Sequence, residues 1–286
     1  MQVRRFVPDE RDAVLAFLRD LEAEGRSGLS EAKHVRLTTP AAPGEGMAAS
    51  RGGQIVGYAG LAPAATGEWA IEVVSADQDA IAALVKAGLD RAVELGAARL
   101  RWWTYDRHLE SAPPDFGFSP ERTLLRMERP LPHPETPRFP VGVEVRGFRS
   151  GVDDGAWLEV NNAAFSGHPE NSDLDEEELS RRLAYDWFEA EGLRMAWEGD
   201  ELVGFCWTKV HPDRSGEIYI IGVAPGHQGR GLGRALVLEG LRHLTTRGCP
   251  RVLLYTEGEN EAAVGLYESL GFEVVDVHRS FIRDVA

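Results

Sequence analysis

The sequence predicts an α/β (α+β) protein in which one folding unit occurs twice in tandem. Three observations predict it. A proline-rich segment, RPLPHPETPRFP, divides the 286-residue chain near its middle. Short motifs recur in the same order on either side of that segment. Within each half, runs of strand composition alternate with runs of helical period.

The dividing segment holds Pro130, Pro132, Pro134, Pro137 and Pro140. Proline lacks an N–H and has a fixed φ, so neither a helix nor a central strand tolerates that density. Residues 130–142 are therefore expected to be a stiff, extended linker between domains at 1–129 and 143–286. Two domains also suit the length, at roughly 100–200 residues each.

The repeat is read from five matches. Val3-Arg4-Arg5-Phe6 pairs with Val145-Arg146-Gly147-Phe148, and Gly53-Gln54-Ile55-Val56-Gly57-Tyr58 with Asp200-Glu201-Leu202-Val203-Gly204-Phe205. Gly67-Glu68 pairs with Gly216-Glu217, Gly96-Ala97-Ala98-Arg99-Leu100 with Gly248-Cys249-Pro250-Arg251-Val252, and Phe116-Gly117-Phe118 with Leu270-Gly271-Phe272. Internal repetition of this kind marks a duplicated unit.

Each half reads β-α-β-β-β-α-β-α-β. In the second half, strands are expected near 143–148, 193–198, 201–211, 216–223, 251–256 and 272–282, where β-branched and aromatic residues concentrate. Residues 231–247 are expected to be helical, with Val237, Leu241 and Leu244 on one face and Gly248 as the stop. A second helix is expected over 260–270, because Ala263, Leu266, Tyr267 and Leu270 follow the i, i+3, i+4, i+7 stripe.

Composition excludes several functions. Hydrophobic residues make up 43%, too many for a disordered chain. The net charge of −15 opposes a nucleic-acid grip. No apolar run is long enough to span a membrane, and the N-terminal residues lack the apolar core of a signal peptide. Only Cys206 and Cys249 occur, which rules out a disulfide scaffold and fits a reducing cytoplasm. No zinc-site or nucleophile-elbow motif is found, so no metal is expected. Lysine occurs three times against 28 arginines, a bias of the kind a GC-rich genome produces.

The stretch that carries chemistry runs from Ile220 to Leu236. A strand enters a loop with glycines at 229, 231 and 233, and the loop opens a helix. Such a loop turns backbone N–H groups toward one point, and the helix N-terminus adds its positive dipole end. Arg230 and Arg234 add full charges, so the loop is expected to cradle a pyrophosphate. A Walker A loop would need Gly-Lys-Ser/Thr, and a Rossmann turn would need Gly-x-Gly-x-x-Gly early in the domain. Neither is present. The segment Gln228-Gly229-Arg230-Gly231-Leu232-Gly233 resembles the Gln/Arg-x-x-Gly-x-Gly/Ala coenzyme A loop of the GNAT acetyltransferases.

That resemblance covers essentially all of 143–286. It implies two tandem GNAT domains, each a mixed, mostly antiparallel sheet flanked by helices, with acetyl-CoA as cosubstrate. It also implies that the strand before the loop bulges, so that the pantetheine arm pairs along Ile221, Gly222 and Val223. Gly222 suits the bulge, and an N–H there would polarise the thioester carbonyl. Asn260 corresponds to a coenzyme A-contacting asparagine, and equally suits a helix N-cap. Tyr267 corresponds to the acid that protonates the departing thiolate, while its place on the apolar stripe equally suits core packing. Glu217 opens the strand and is the candidate base, acting through water across roughly 13 Å to Ile221. Side-chain alternation puts Glu217, Tyr219 and Ile221 on one face. His211 and His227 are secondary base candidates, expected in surface turns.

Longer strings narrow the resemblance. Val160 to Glu170, Gly204 to Pro212, Gly216 to Tyr219 and Leu253 to Tyr255 resemble the mycothiol synthase family of tandem GNAT proteins. That family acetylates the cysteine amine of cysteinyl-glucosaminyl-inositol. The resemblance implies substrate contacts from Glu170, Lys209, Glu217 and Tyr255, and from Glu31 in the first half. The alternatives are another small amine, such as an aminoglycoside or polyamine, a protein amine, and a non-catalytic acyl-CoA sensor. In the first half the corresponding loop, Val74 to Ala80, has no glycine and holds Asp77 and Asp79. The first domain is therefore expected to be a degenerate scaffold. The protein is expected to act as a monomer on a small amine in the cytoplasm, without nucleic acid or membrane.

Overall fold

A computed structural model describes residues 1–24, 26, 29, 37, 45–64, 67–168 and 173–285. In chain order the elements are β1 (Gln2–Arg5), α1 (Arg11–Ala23), β2 (Glu45–Arg51), β3 (Gln54–Pro63), β4 (Glu68–Val74), α2 (Gln78–Glu94) and β5 (Arg99–Thr104). They continue with β6 (Ser119–Pro130), β7 (Val143–Gly147), α3 (Asp154–Ala164), α4 (Glu176–Leu183) and β8 (Leu193–Glu198). The chain ends with β9 (Glu201–Val210), β10 (Gly216–Val223), α5 (Leu232–Thr246), β11 (Arg251–Glu257), α6 (Glu261–Ser269) and β12 (Glu273–Asp284).

Two compact units result. Unit 1 comprises residues 1–124, 257–259 and 277–286, and unit 2 comprises 125–256 and 260–276. These borders differ from a cut at 129 and 143. Residues 279–284 of β12 pair antiparallel with β5, so unit 1 takes a strand from the end of the chain. The proline-rich segment is also no free spacer. The Leu131 N–H donates to the Pro250 carbonyl at 2.9 Å. Leu131 and Phe139 pack on unit 2's apolar core.

In unit 2 the strand order is β7-β8-β9-β10-β11, antiparallel except for β10 with β11. One face packs α5 and α6 through Val237, Leu241, Leu244, Cys206, Ile218 and Tyr267. The other packs α3 and α4 through Trp157, Leu179, Phe205 and Trp207. The predicted stripe of α5 is buried to 1% exposure or less at all three positions. Each such side chain stabilises the fold by about 1.5–3 kcal/mol.

Unit 1 repeats the plan, with β2-β3-β4 antiparallel and β4 parallel to β5. The α2 face holds Ile71, Ile81, Leu84 and Trp102, and the α1 face holds Val14, Leu18, Tyr58 and Val74. Two elements depart from the sequence expectation. Unit 1 has only 3-10 turns at Arg107–Leu109 and Pro113–Phe116 where a helix was expected before β6. Pro113 and Pro114 remove the donors a helix needs. Unit 2 gains α4, whose Asp175 side chain caps the Glu178 N–H at 2.8 Å.

Candidate active site

The site starts with β10, held between β9 and β11. Glu217 pairs with Lys209 and Ile218 with Thr208, but the next pair is Ile220 with Trp207. Tyr219 is thus the extra residue of a bulge. On the other side, the ladder to β11 joins only Gly216, Glu217 and Ile218 to Val252, Leu253 and Leu254. Past Ile218 the β10–β11 pairing stops, so the β10 edge from Tyr219 to Val223 is unpaired on that side. An extended ligand can hydrogen-bond to such an edge as an added strand.

The bulge lies before Gly222, not at it. Gly222 answers to packing, since a Cβ there would meet Phe205 Cε1 at 2.9 Å and Ala164 Cβ at 3.3 Å. The extra residue also reverses the alternation. Tyr219 and Ile220 join the Trp207 core, whereas Ile221 pairs with Cys206 and packs on the α5 side. Glu217, Tyr219 and Ile221 therefore do not share one face.

The unpaired edge leads into the loop before α5. A 3-10 turn at Pro225–His227 leads through Gln228 to Gly229 (φ +75°) and Gly231 (φ +82°), left-handed conformations that favour glycine. Gly231 caps α5 and supplies no side-chain acceptor, so the first-turn N–H groups, from Leu232 and Gly233 on, remain available to an anion. The two arginines are engaged. Arg230 forms a bidentate pair with Glu198 at 2.8 and 2.8 Å and contacts His227 Nδ1 at 2.8 Å. Arg234 pairs with Glu135 of the proline-rich segment at 2.7 and 3.1 Å and donates to Ser269 Oγ at 2.9 Å. These hydrogen bonds hold the Glu198 and Glu135 carboxyls below the usual range. The cradle therefore presents backbone donors first, with its arginines braced by carboxylates rather than bare. Asn260 caps α6, its side chain accepting from the Ala263 N–H at 3.1 Å.

At the far end of β10 sit the polar groups. Glu217 is 7% exposed and Lys209, directly across from it, 4%. The Lys209 ammonium lies 5.0 Å from the centre of the Trp187 ring, a cation–π distance. Trp187 packs against Tyr219 at 4.9 Å and stacks with Tyr185 at 5.4 Å. His211 Nε2 lies 2.7 Å from Glu217 Oε2. Tyr255, two residues beyond the Leu253 that pairs with Glu217, is 41% exposed. Its phenol is pushed up by the packing around it and by the Glu217 carboxylate.

Tyr267 is only 6% exposed and meets Phe272 edge-on at 5.9 Å. Burial pushes its phenol well above the usual range, and Cys206 adds to the shift. Glu31 and Glu170 lie outside the described residues. Sequence reasoning missed His211 as a partner of Glu217. The signal was present, because a hairpin over 211–215 returns the chain six residues later. Trp187 and Tyr185 sit in an irregular segment, where no periodicity marks them. Among the described residues no cluster of three or more His, Cys, Asp or Glu could hold a metal ion. Among the described residues no helix is long and apolar enough to cross a membrane.

Residues 157–272 match the family described as the Acetyltransferase (GNAT) family. The chain is 41% identical to a mycothiol acetyltransferase of Streptomyces coelicolor, across 93% of this chain and 89% of that one. It is 42% identical to a mycothiol acetyltransferase of Geodermatophilus obscurus, across 96% and 95%. Among solved structures it resembles a GCN5-related N-acetyltransferase from Sphaerobacter thermophilus, with TM-score 0.82, 21% identity, and 99% and 95% of the two chains covered. A tandem GNAT protein from the clavulanic acid biosynthesis pathway has TM-score 0.76 at 14% identity, with 100% and 98% covered. At those identities the structures establish the fold.

Proposed function

The chain belongs to the mycothiol acetyltransferase family of GNAT proteins, and on that premise we propose that unit 2 acetylates a small amine from acetyl-CoA. The amine is the cysteine amine of cysteinyl-glucosaminyl-inositol. The observation that carries the proposal is the end of the β10–β11 pairing after Ile218, directly before an uncapped, glycine-rich helix N-terminus. The unpaired edge suits an extended pantetheine arm, and the helix end suits the pyrophosphate it carries.

In this mechanism the chain's own groups divide the work. Ile221, Gly222 and Val223 give the free edge, and one backbone N–H there stabilises the carbonyl oxygen as charge develops. The loop from Gln228 to Gly233 holds the pyrophosphate with its N–H groups. Arg230 and Arg234 exchange a carboxylate for phosphate oxygens. Asn260 spends its oxygen on the helix cap, which leaves its Nδ2 as a donor to the cosubstrate. Glu217 takes a proton from the substrate ammonium, and Tyr267 returns one to the departing sulfur. Lys209 and Tyr255 hold sugar hydroxyls, with Glu31 and Glu170 as further substrate contacts. Unit 1 binds no cosubstrate. The enzyme is a cytoplasmic monomer that needs no metal.

The test is acetyl transfer from acetyl-CoA to cysteinyl-glucosaminyl-inositol, followed by mass spectrometry. A product heavier by one acetyl group on the cysteine nitrogen is expected. No product at high enzyme, with turnover on a polyamine or aminoglycoside instead, would contradict the substrate and leave acetyl transfer standing.

A further inference from the structure

An ammonium that attacks a thioester must first lose a proton, and that proton must reach bulk water. Glu217 is poorly placed to deliver it alone, since its carboxylate is buried at the start of β10. One of its oxygens is occupied by His211 Nε2 at 2.7 Å. The His211 side chain is 22% exposed against 9% for that of Glu217. The imidazole thus spans from the buried carboxylate to solvent.

The hairpin that carries His211 is built to hold it there. Its backbone N–H donates to the Ser215 carbonyl at 2.8 Å, and the Arg214 N–H donates back to the His211 carbonyl at 2.9 Å. Asp213 takes the Ser215 N–H and hydroxyl at 2.9 and 2.6 Å, and pairs with Arg251 at 2.6 Å. The charged and titratable groups around the pair are therefore Lys209 from β9, Asp213 from the hairpin and Tyr255 from β11. Arg251 already neutralises Asp213, which leaves Glu217 as the carboxylate bonded to the ring.

We infer that His211 is a positioning residue that fixes the Glu217 carboxylate and conducts the amine proton from it to solvent. The inference rests on the acetyl-transfer reading of Glu217. Glu217 accepts the proton of the substrate ammonium on its free oxygen. The proton passes through Oε2 to Nε2 of the ring in its Nδ1–H tautomer, and the imidazolium beside the regenerated carboxylate releases its Nδ1 proton to water before solvent exchange restores that tautomer. The amine lone pair forms the C–N bond, the C–S bond breaks, and the sulfur leaves with its electron pair and takes the Tyr267 proton, which the second proton lost by the amide nitrogen replaces through solvent. One proton per turnover departs through His211. Imidazole has two ring nitrogens, one to take a proton and one to give it up, which suits this task.

The experiment compares kcat and KM for the full chain and its His211→Gln, Glu217→Gln and double variants between pH 6 and 9.5, with acetyl-CoA and cysteinyl-glucosaminyl-inositol. Gln retains a donor to Glu217 but cannot carry a proton. His211→Gln is expected to lower kcat by about 10- to 100-fold near pH 7. KM for both substrates should stay within about twofold, and the loss should shrink above pH 8.5, where the amine, with an ordinary pKa of about 7.7–8.0, deprotonates itself. The double variant should be no slower than Glu217→Gln, and added imidazole should restore His211→Ala in part. Three results overturn the inference. A normal His211→Gln beside a slow Glu217→Gln removes His211 alone. A loss that is independent of pH and untouched by imidazole makes His211 merely structural. A normal Glu217→Gln at every pH removes Glu217 as the base, and His211 with it.

Discussion

In the proposed mechanism Tyr267 must serve two demands. It lies on the apolar stripe of α6 and is nearly buried, as core packing requires. Burial raises its pKa, which keeps the phenol protonated across the working range but makes it a weaker acid toward a thiolate of ordinary pKa near 8.5. Tyr267→Phe retains the ring and its contact with Phe272. It should lower kcat by roughly 10²–10⁴-fold at unchanged acetyl-CoA affinity, because the thiolate forms only in the transition state. Steady-state kinetics with calorimetric binding checks this, and an unchanged kcat would leave Tyr267 a core residue. Asp153 serves stability instead. It is 1% exposed and accepts from Arg146 at 2.6 and 2.9 Å and from the Arg149 N–H at 2.8 Å. Arg146, then Arg149, holds its carboxyl far below the usual value. A depressed carboxyl stabilises the fold above its unfolded pKa of about 3.9, and that contribution is lost as pH falls through the acid range. Because both arginines are part-exposed, Asp153→Asn should cost only about 1–3 kcal/mol at pH 7 and progressively less below pH 4, read by urea unfolding.

The strand and helix boundaries of unit 2 were largely legible because period and punctuation coincide there. Val237, Leu241 and Leu244 sit three or four apart, and Gly248 and Gly271 follow their helices. The bulge was misplaced because Gly222 looked like the weak point of β10. The strand shifts instead at Tyr219, where Trp207 must find a partner. No single-sequence signal reports that match. A further repeat was also hidden. Gly88 of α2 and Gly240 of α5 are separated by the same 152 residues as Gly96 and Gly248. A Cβ at Gly240 would meet Cys206 Sγ and Ile218 Cδ1 at 2.7 Å, and one at Gly88 would meet Ile71 Cδ1 at 2.3 Å. In both units a helical glycine lets the helix settle on the sheet. Gly240→Ala should therefore destabilise unit 2 by roughly 1–3 kcal/mol, despite the better helix propensity of alanine. A thermal melt that shows stabilisation would contradict this close contact.

Across the whole molecule, the two units share one plan and differ in local pairing at the corresponding strand and loop. In unit 1 the β4–β5 ladder continues for five pairs, Glu68 with Arg99 through Glu72 with Trp103, two more than the β10–β11 ladder. The β3–β4 ladder runs without a bulge. At the start of α2 the Asp77 carboxylate accepts from the Ala80 N–H at 3.1 Å and pairs with Arg51 at 2.6 Å. It takes the place an anion would need. Glu68, the counterpart of Glu217, is paired with Arg99 and Arg101. In the sequence, Asp77 and Asp79 carry the expectation that the first unit binds no anion here. The sequence could not report the longer ladder, which depends on strand pairing far apart in the chain.

In the proposed mechanism one unit alone holds the acetyl donor, through the unpaired edge of β10 and the α5 N-terminus that Gly231 leaves without a side-chain cap. The most direct measurement is the calorimetric stoichiometry of coenzyme A on the full chain and on Gly231→Asp, which places a carboxylate at the α5 N-cap. One site per chain is expected, lost in Gly231→Asp while the melting transition persists. Two sites of similar affinity, or a single site that survives Gly231→Asp, would contradict it.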